Sequence, residues 1–64
     1  MNQPFPPASL TERDAATYIG MSAIWLRKSR SKGNKNAPPF ARIGRSIRYL
    51  VKDLDLWLEI RKAS

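Results

Sequence analysis

The stretch YIGMSAIWLRKSRSKG, residues 18–33, contains the end of one predicted helix, a short turn and the whole of a second predicted helix. Gly20 can adopt a left-handed backbone and end one helix, and Ser22 can cap the start of the next. Gly33 supplies the stop of that second helix. Two helices joined by so short a turn indicate a helix-turn-helix, although a plain antiparallel helical hairpin also uses short loops. The second helix has too few apolar residues for a buried bundle helix, which favours the helix-turn-helix.

The segment LTERDAATYI, residues 10–19, predicts the first helix. Thr11 is a good N-cap, and Asp14 occupies the third helical position in the manner of a capping box. Residues 1–9 carry three prolines and lack the basic and apolar regions of a signal peptide. We therefore expect a flexible leader over residues 1–9 and one domain over residues 10–62.

The segment FARIGRSIRYL, residues 40–50, predicts a β-hairpin in which apolar and basic residues alternate and Gly44 accepts the positive φ of a tight turn. We expect its apolar side chains on the core side and its arginines outward. Residues 52–63 predict a last helix, with Trp57 as the central core residue. The predicted fold class is mainly α with a small β-hairpin: a winged helix-turn-helix with a two-stranded wing and a C-terminal helix.

Charge is segregated along the chain, which has 12 Lys and Arg, 5 Asp and Glu, and a formal net charge of +7. One stretch without an acid holds Arg27, Lys28, Arg30, Lys32, Lys35, Arg42, Arg45 and Arg48. Such a surface repels itself, so we expect a polyanionic partner. One alternative is a basic surface kept only for solubility, which interspersed signs serve at least as well. The other alternative is that Arg42 and Arg48 form ion pairs with Asp53, Asp55 or Glu59.

The residue inventory excludes several function classes. The chain has no Cys and no His, which excludes a disulfide framework and the common zinc fingers. It also has no glycine-rich phosphate loop, so we expect no enzyme activity, metal, cofactor or small-molecule ligand. No apolar run approaches the roughly 18 residues of a membrane helix. We expect a cytoplasmic protein with no membrane partner.

The ordered set of motifs resembles the small MerR-like DNA-binding domains of phage excisionases and AlpA-type regulators. In that group a Gly-x-Ser turn opens the recognition helix, here at residues 20–22, and an RIGR hairpin forms the wing, here at residues 42–45. An Asp-Leu pair begins the last helix four residues before its tryptophan, here Trp57. The match covers Leu10 to about Ile60.

Two features depart from the pattern of that group. The loop from Ser31 to Pro39 is longer and more basic than is usual there, which affects the placement of the wing relative to the recognition helix. Lys52 replaces the usual cap residue of the last helix, so we expect the first turn of that helix to fray.

The resemblance implies a double-stranded DNA-binding protein whose second helix enters the major groove and whose wing contacts the backbone or the adjacent minor groove. By position, the recognition helix contributes Ser22, Ala23, Ile24, Arg27 and Lys28. The wing contributes Arg42, Arg45, Ser46 and Arg48. We expect supporting phosphate contacts from Arg30, Lys32 and Lys35.

The chemistry of these residues divides their roles. Arg27 and Lys28 are the best candidates for base-edge contacts, because Arg is the commonest bidentate reader of guanine. Ile24 or Ala23 can meet a thymine methyl group. Trp25 either packs under the first helix or lies along the sugar-phosphate backbone.

The resemblance further implies an excisionase of a bacterium or phage, associated with the nucleoid, that binds and bends DNA to direct an integrase. A small AlpA-type transcription regulator is the alternative. A regulator of this size usually needs a dimerisation element, and no coiled-coil heptads follow Ile60, which favours the excisionase. A basic RNA-binding protein and a module for acidic proteins are more remote alternatives. Readers of single-stranded RNA display aromatic residues on an exposed sheet, whereas we expect Phe40 and Tyr49 on the core side or at an edge.

Leu56 and Ile60 lie together on the last helix, roughly opposite the stripe formed by Leu54, Trp57 and Leu58. A three-helix core cannot bury both stripes, so we expect this pair to be exposed. The pair is either ordinary surface or a protein contact, to a neighbouring copy on adjacent DNA sites or to an integrase.

Overall fold

A computed structural model describes residues 8–62. The elements in this range are β1 (Ser9–Leu10), α1 (Glu12–Ile19), α2 (Ala23–Ser31), β2 (Ala41–Ile43), β3 (Ser46–Leu50) and α3 (Val51–Ile60). Over this range the chain is a mixed α/β domain of three helices and a three-stranded antiparallel sheet. The predicted order of helix, helix, hairpin and helix is confirmed. None of the three helices is long and apolar enough to cross a membrane.

The joint between α1 and α2 forms as the sequence predicts. The Thr11 hydroxyl accepts a hydrogen bond from the Asp14 N–H at 3.1 Å. Gly20, with φ 77°, ends α1 in the left-handed region. The Ser22 hydroxyl then accepts from the Trp25 N–H at 3.0 Å and begins α2. Only residues 20–22 separate the two helices, because each end carries its own stop or start signal.

A Schellman motif ends α2. Gly33 has φ 65°, and its N–H donates to the Arg30 carbonyl at 3.1 Å. The Asn34 N–H donates to the Ser29 carbonyl at 3.0 Å. The predicted role of Gly33 as the stop of the second helix is confirmed.

The hairpin also forms where it was predicted. β2 pairs with β3 so that Ile43 lies opposite Ser46, which leaves Gly44 and Arg45 as a two-residue turn. Gly44 has φ 61°. This glycine meets the requirement for a positive φ that two-residue hairpin turns impose.

The strand β1 is a departure from the prediction. Leu10 pairs with Tyr49 and Ser9 with Leu50, which makes β3 the central strand in the order β1, β3, β2. The domain therefore begins before residue 10, and Ser9 does not belong to a leader. The rest of that prediction, over residues 1–7, lies outside the described residues.

The first turn of α3 is held by backbone and not by a side-chain cap. Leu50 is the N-cap and makes no side-chain capping bond. The Val51 N–H instead donates to the Ala8 carbonyl at 3.0 Å. The helix begins at Val51, one residue before the predicted start, and its first turn includes Lys52.

The core centres on Tyr49, and the prediction of Trp57 as the central core residue is wrong. The largest fully buried side chains are Tyr49, Leu26 and Leu54, packed with Ala15 and Ala16. Tyr49 takes the centre because it lies on the middle strand of the sheet, facing the helices. Trp57 is half-buried and faces the loop after α2.

Side chains of the hairpin alternate between the two faces of the sheet, as predicted. Not all of its apolar side chains face the core, however. Arg42 lies opposite Ile47, and residues directly opposite each other in an antiparallel pair share a face. Arg42 therefore belongs to the face of Tyr49, whereas Ile43 belongs to the outer face and is 61% exposed. The expectation of apolar residues inward and arginines outward is wrong for these two, because the hairpin tip extends beyond the core.

Candidate nucleic-acid interface

One face of α2 is free of packing. Leu26 and Ser29 are buried on the inner face. The predicted recognition residues Ala23, Ile24, Arg27 and Lys28 are all exposed, with Ile24 at 59%. The structure thus brings these four residues together on one outward surface. Ser22 lies at the start of this surface, where its hydroxyl oxygen caps the helix.

The hairpin separates its predicted residues into two positions. Arg42, Arg45 and Ser46 are exposed at or beside the tip. Arg48 is half-buried, and its Nε donates to the Ser9 hydroxyl at 3.3 Å. Its Nη2 donates to the Ser9 carbonyl at 3.4 Å. Arg48 therefore lies against β1 instead of projecting with the tip.

Ion pairing leaves most of the predicted cations unneutralised. Residues 8–62 contain two ion pairs, Arg30 with Glu12 and Lys62 with Glu59. The alternative that pairs Arg42 and Arg48 with acids of α3 is therefore not what the structure shows. The cations of the predicted interface other than Arg30 are Arg27, Lys28, Lys32, Lys35, Arg42, Arg45 and Arg48, and in this part of the chain none has a carboxylate partner.

Arg30 is engaged inside the domain. Its Nε donates to Glu12 Oε2 at 2.6 Å, and its Nη2 donates to Oε1 at 3.2 Å. The Tyr49 hydroxyl donates to the same Oε2 at 2.9 Å. Because both charged side chains are only 18% exposed, the guanidinium is occupied by this contact. This internal contact competes with the phosphate contact predicted for Arg30 from sequence.

This cluster of Glu12, Arg30 and Tyr49 shifts the protonation of its members. The hydrogen bond from Arg30 holds the pKa of the Glu12 carboxyl below its usual value, against the opposing effect of burial, and the bond from Tyr49 adds to the lowering. Burial raises the pKa of Tyr49, and its hydrogen bond to Glu12 raises it further. At neutral pH the carboxylate stays charged and the phenol stays neutral, so the three-way contact persists.

Arg13 joins the candidate interface, although it was not predicted. A surface depression between α1 and α2 is lined by Glu12, Arg13, Ala23, Ile24 and Arg27. Arg13 is exposed beside three of the predicted recognition residues, Ala23, Ile24 and Arg27. Its position in the first helix of a helix-turn-helix was the available signal, since that helix crosses the DNA backbone in such motifs.

The two tryptophans lie together. Trp25 is half-buried and packs against the core cluster. Its ring centroid lies 6.4 Å from that of Trp57, with the planes tilted by 57°. Of the two positions left open for Trp25, the structure shows the packed one.

The remaining predicted positions are exposed. Lys32 and Lys35 lie at and after the end of α2. Leu56 and Ile60 are 59% and 70% exposed on α3, which confirms that the core does not bury that stripe.

No protein-family model matches this chain, and no curated protein matches it in sequence.

Proposed function

We propose that this protein binds double-stranded DNA sequence-specifically, as a winged helix-turn-helix. In this proposal α2 enters the major groove and the hairpin of β2 and β3 is the wing. One observation carries the proposal: the outward surface of α2 and the hairpin tip both carry cations that no carboxylate in residues 8–62 neutralises. Phosphate is the partner that compensates such a surface and releases counterions on binding.

The outward surface of α2 has the chemistry of a base reader. Ile24 is exposed and lines the same surface depression as Arg13 and Arg27. An apolar side chain suits a thymine methyl group, and an Arg fork suits the O6 and N7 atoms of guanine. The position of Ile24 beside Arg27 in one depression supports sequence reading.

The wing has the shape of a backbone or minor-groove contact. Arg45 occupies the turn itself beside Gly44, and Arg42 lies exposed just before it. At such a tip an arginine stays hydrated when free and can fork onto phosphate oxygens or enter a narrow minor groove when bound. The absence of a Cβ at Gly44 lets the tip approach closely.

The sheet does not support the alternative of a single-stranded RNA reader. Modules of that kind stack bases on aromatic side chains of an exposed sheet face. Tyr49 is fully buried on the inner face. The outer face, by register, consists of Ser9, Ala41, Ile43, Ser46, Arg48 and Leu50, with no aromatic residue among these described positions.

As to biological role, we propose an excisionase that bends its site and directs an integrase, working beside the nucleoid. The motif resemblance supports this role. The exposed pair Leu56 and Ile60 also supports it, because a neighbouring copy or an integrase could cover such a pair. Bending of the site and stimulation of excision in a reconstituted reaction would test it. Binding without either effect would favour a transcription regulator of the AlpA type.

Selection from random duplexes tests the DNA-binding proposal. The protein is incubated with a random-sequence duplex library, bound DNA is amplified, and the enriched duplex is compared with a scrambled duplex in a gel shift. We expect an enriched motif that binds at least about a thousandfold more tightly than the scrambled duplex. Equal affinity for every duplex, or tighter binding to single-stranded RNA, would contradict the proposal.

A further inference from the structure

The loop between α2 and β2 is held in place by the end of α3. The Asn36 carbonyl accepts a hydrogen bond from the Trp57 indole Nε1–H at 2.9 Å and a second from Arg61 Nη2 at 3.0 Å. The Arg61 guanidinium carbon lies 4.4 Å from the centroid of the Trp57 ring. A single loop carbonyl is therefore fixed by both members of one cation–π pair.

The loop is also closed on itself. The Asn34 side-chain oxygen accepts from the Asn36 N–H at 2.9 Å, and the Asn34 carbonyl accepts from the Ala37 N–H at 3.1 Å. These bonds define a β-turn whose central residues are Lys35 and Asn36. Lys35 thus belongs to a hydrogen-bonded turn, and the next residue, Asn36, is held by the end of α3.

Three lysines line this side of the molecule. Lys28 lies in the last turn of α2, Lys32 is the C-cap of that helix four residues later, and Lys35 follows on the turn. All three are exposed, and none has a carboxylate partner in the described range. We refer to Lys28, Lys32 and Lys35 as the lysine ridge.

The lysines of the ridge repel one another, and the local structure does not fully offset this repulsion. Like charges at i and i+4 destabilise a helix. The dipole of α2 favours a cation at Lys32, but this effect falls off within the last turn. Lys35 lies beyond Gly33, where the helix has already ended. An anionic partner outside the domain is the kind of ligand that would offset this repulsion.

We propose that the lysine ridge extends the DNA interface beyond α2 and the wing: Lys28 stays with the base-reading surface of α2, whereas Lys32 and Lys35 bind phosphates flanking the major groove that α2 enters. In this proposal Trp57 and Arg61 are positioning residues, which hold the turn so that Lys35 can reach the DNA backbone. The inference rests on the proposed function, because these phosphates belong to the same duplex. Lysine suits this role, since its ammonium group is a point charge that binds phosphate without reading a base.

Salt dependence tests the contact. Loss of one phosphate contact reduces the magnitude of the slope of log K against log salt by about 0.9. We expect Lys35→Gln to show this reduction and to weaken cognate and scrambled duplexes alike, by roughly fivefold at moderate salt. Lys52→Gln is the matched control, because it removes one exposed charge at the opposite end of α3. This control should leave the slope unchanged.

A double-mutant cycle tests the positioning role. Trp57→Phe keeps an aromatic ring and removes the N–H donor, and Arg61→Lys keeps the charge and removes the planar fork. We expect each to weaken DNA binding severalfold in the parent, with no further loss when added to Lys35→Gln. A merely structural role would weaken binding equally in both backgrounds and would overturn the positioning role.

The outcomes separate this inference from the proposed function. If the parent fails to bind duplex DNA, the proposed function is wrong and the ridge with it. If the parent binds with a steep salt slope and Lys35→Gln has the slope of the parent, the ridge alone is wrong. The folded state of each variant is checked by circular dichroism, and the two positioning variants provide independent tests of one role.

Discussion

Arg30 and Glu12 form a two-point ion pair across the joint between α1 and α2, with Nε to Oε2 at 2.6 Å and Nη2 to Oε1 at 3.2 Å. The pair joins the first residue of α1 to the last turn of α2. The Tyr49 hydroxyl bonds to the same carboxylate and extends the link to the sheet. Glu12 also lines the depression that holds Ala23, Ile24 and Arg27, so this contact borders the surface proposed to bind DNA.

Glu12→Gln should destabilise the fold by about 2 kcal/mol, the range for losing hydrogen bonds to a charged group. The amide leaves the Arg30 charge without its partner in a mostly buried setting. Urea unfolding followed by circular dichroism measures the change. Asp14→Asn is the matched control, because it removes a carboxylate from the same first turn of α1 but from no ion pair in the described structure. Equal losses in the two variants would contradict the role given to the pair.

Acid should weaken the fold through the same carboxylate. The pKa of Glu12 is lowered in the folded state, chiefly by the hydrogen bond from Arg30. Its contribution is therefore fully present above the unfolded pKa, near 4.5, and is lost as pH falls below that value. Unfolding free energies measured from neutral pH downward should fall less steeply in Glu12→Gln than in the parent. Parallel curves for the two proteins would show that Glu12 does not carry this dependence.

Arg27 and Arg45 should respond differently to DNA sequence. Arg27→Ala should cost about 1 to 3 kcal/mol, mainly on the cognate site, because it removes a proposed base contact. Arg45→Ala should weaken cognate and scrambled duplexes by similar factors, because it removes a phosphate contact. Gel-shift titrations on both duplexes measure the difference. If the two variants lose affinity equally on all sequences, the recognition surface is assigned to the wrong residues.

Leu56→Glu combined with Ile60→Glu should leave the domain folded and its affinity for a single site nearly unchanged, apart from a modest like-charge penalty. Both side chains are mostly exposed, so the core loses little. Cooperative filling of tandem sites in a gel-shift titration should disappear, because the proposed contact between neighbouring copies is removed. Filling as steep as that of the parent would make the pair ordinary surface, and unfolding would make it part of the core.

Elements signalled by adjacent residues were predictable from the sequence. Thr11 and Ser22 form the capping bonds expected of them, and Gly20, Gly33 and Gly44 all adopt the positive φ on which the boundaries depend. These signals act within three or four residues of the chain, so a linear pattern contains them. The exposure of Leu56 and Ile60 followed in the same way from the helical period.

The contacts that escaped prediction join distant parts of the chain. β1 has only two residues, and its pairing with β3 links positions that no local pattern connects. The ion pair of Glu12 with Arg30 spans 18 positions. Trp57 was wrongly predicted as the central core residue. The helical period identifies the apolar stripe of α3, but it does not show which residue of that stripe packs at the centre of the core. That centre depends on the sheet, which places Tyr49 there.

The salt dependence of duplex binding is the most direct test of the central claim, that about five of the unpaired cations of α2, the wing and the lysine ridge meet DNA phosphates. Contacts to about five phosphates predict a slope of log K against log salt of about −4 to −5. A slope shallower than about −2 would contradict the account, because fewer than three phosphates would then be neutralised.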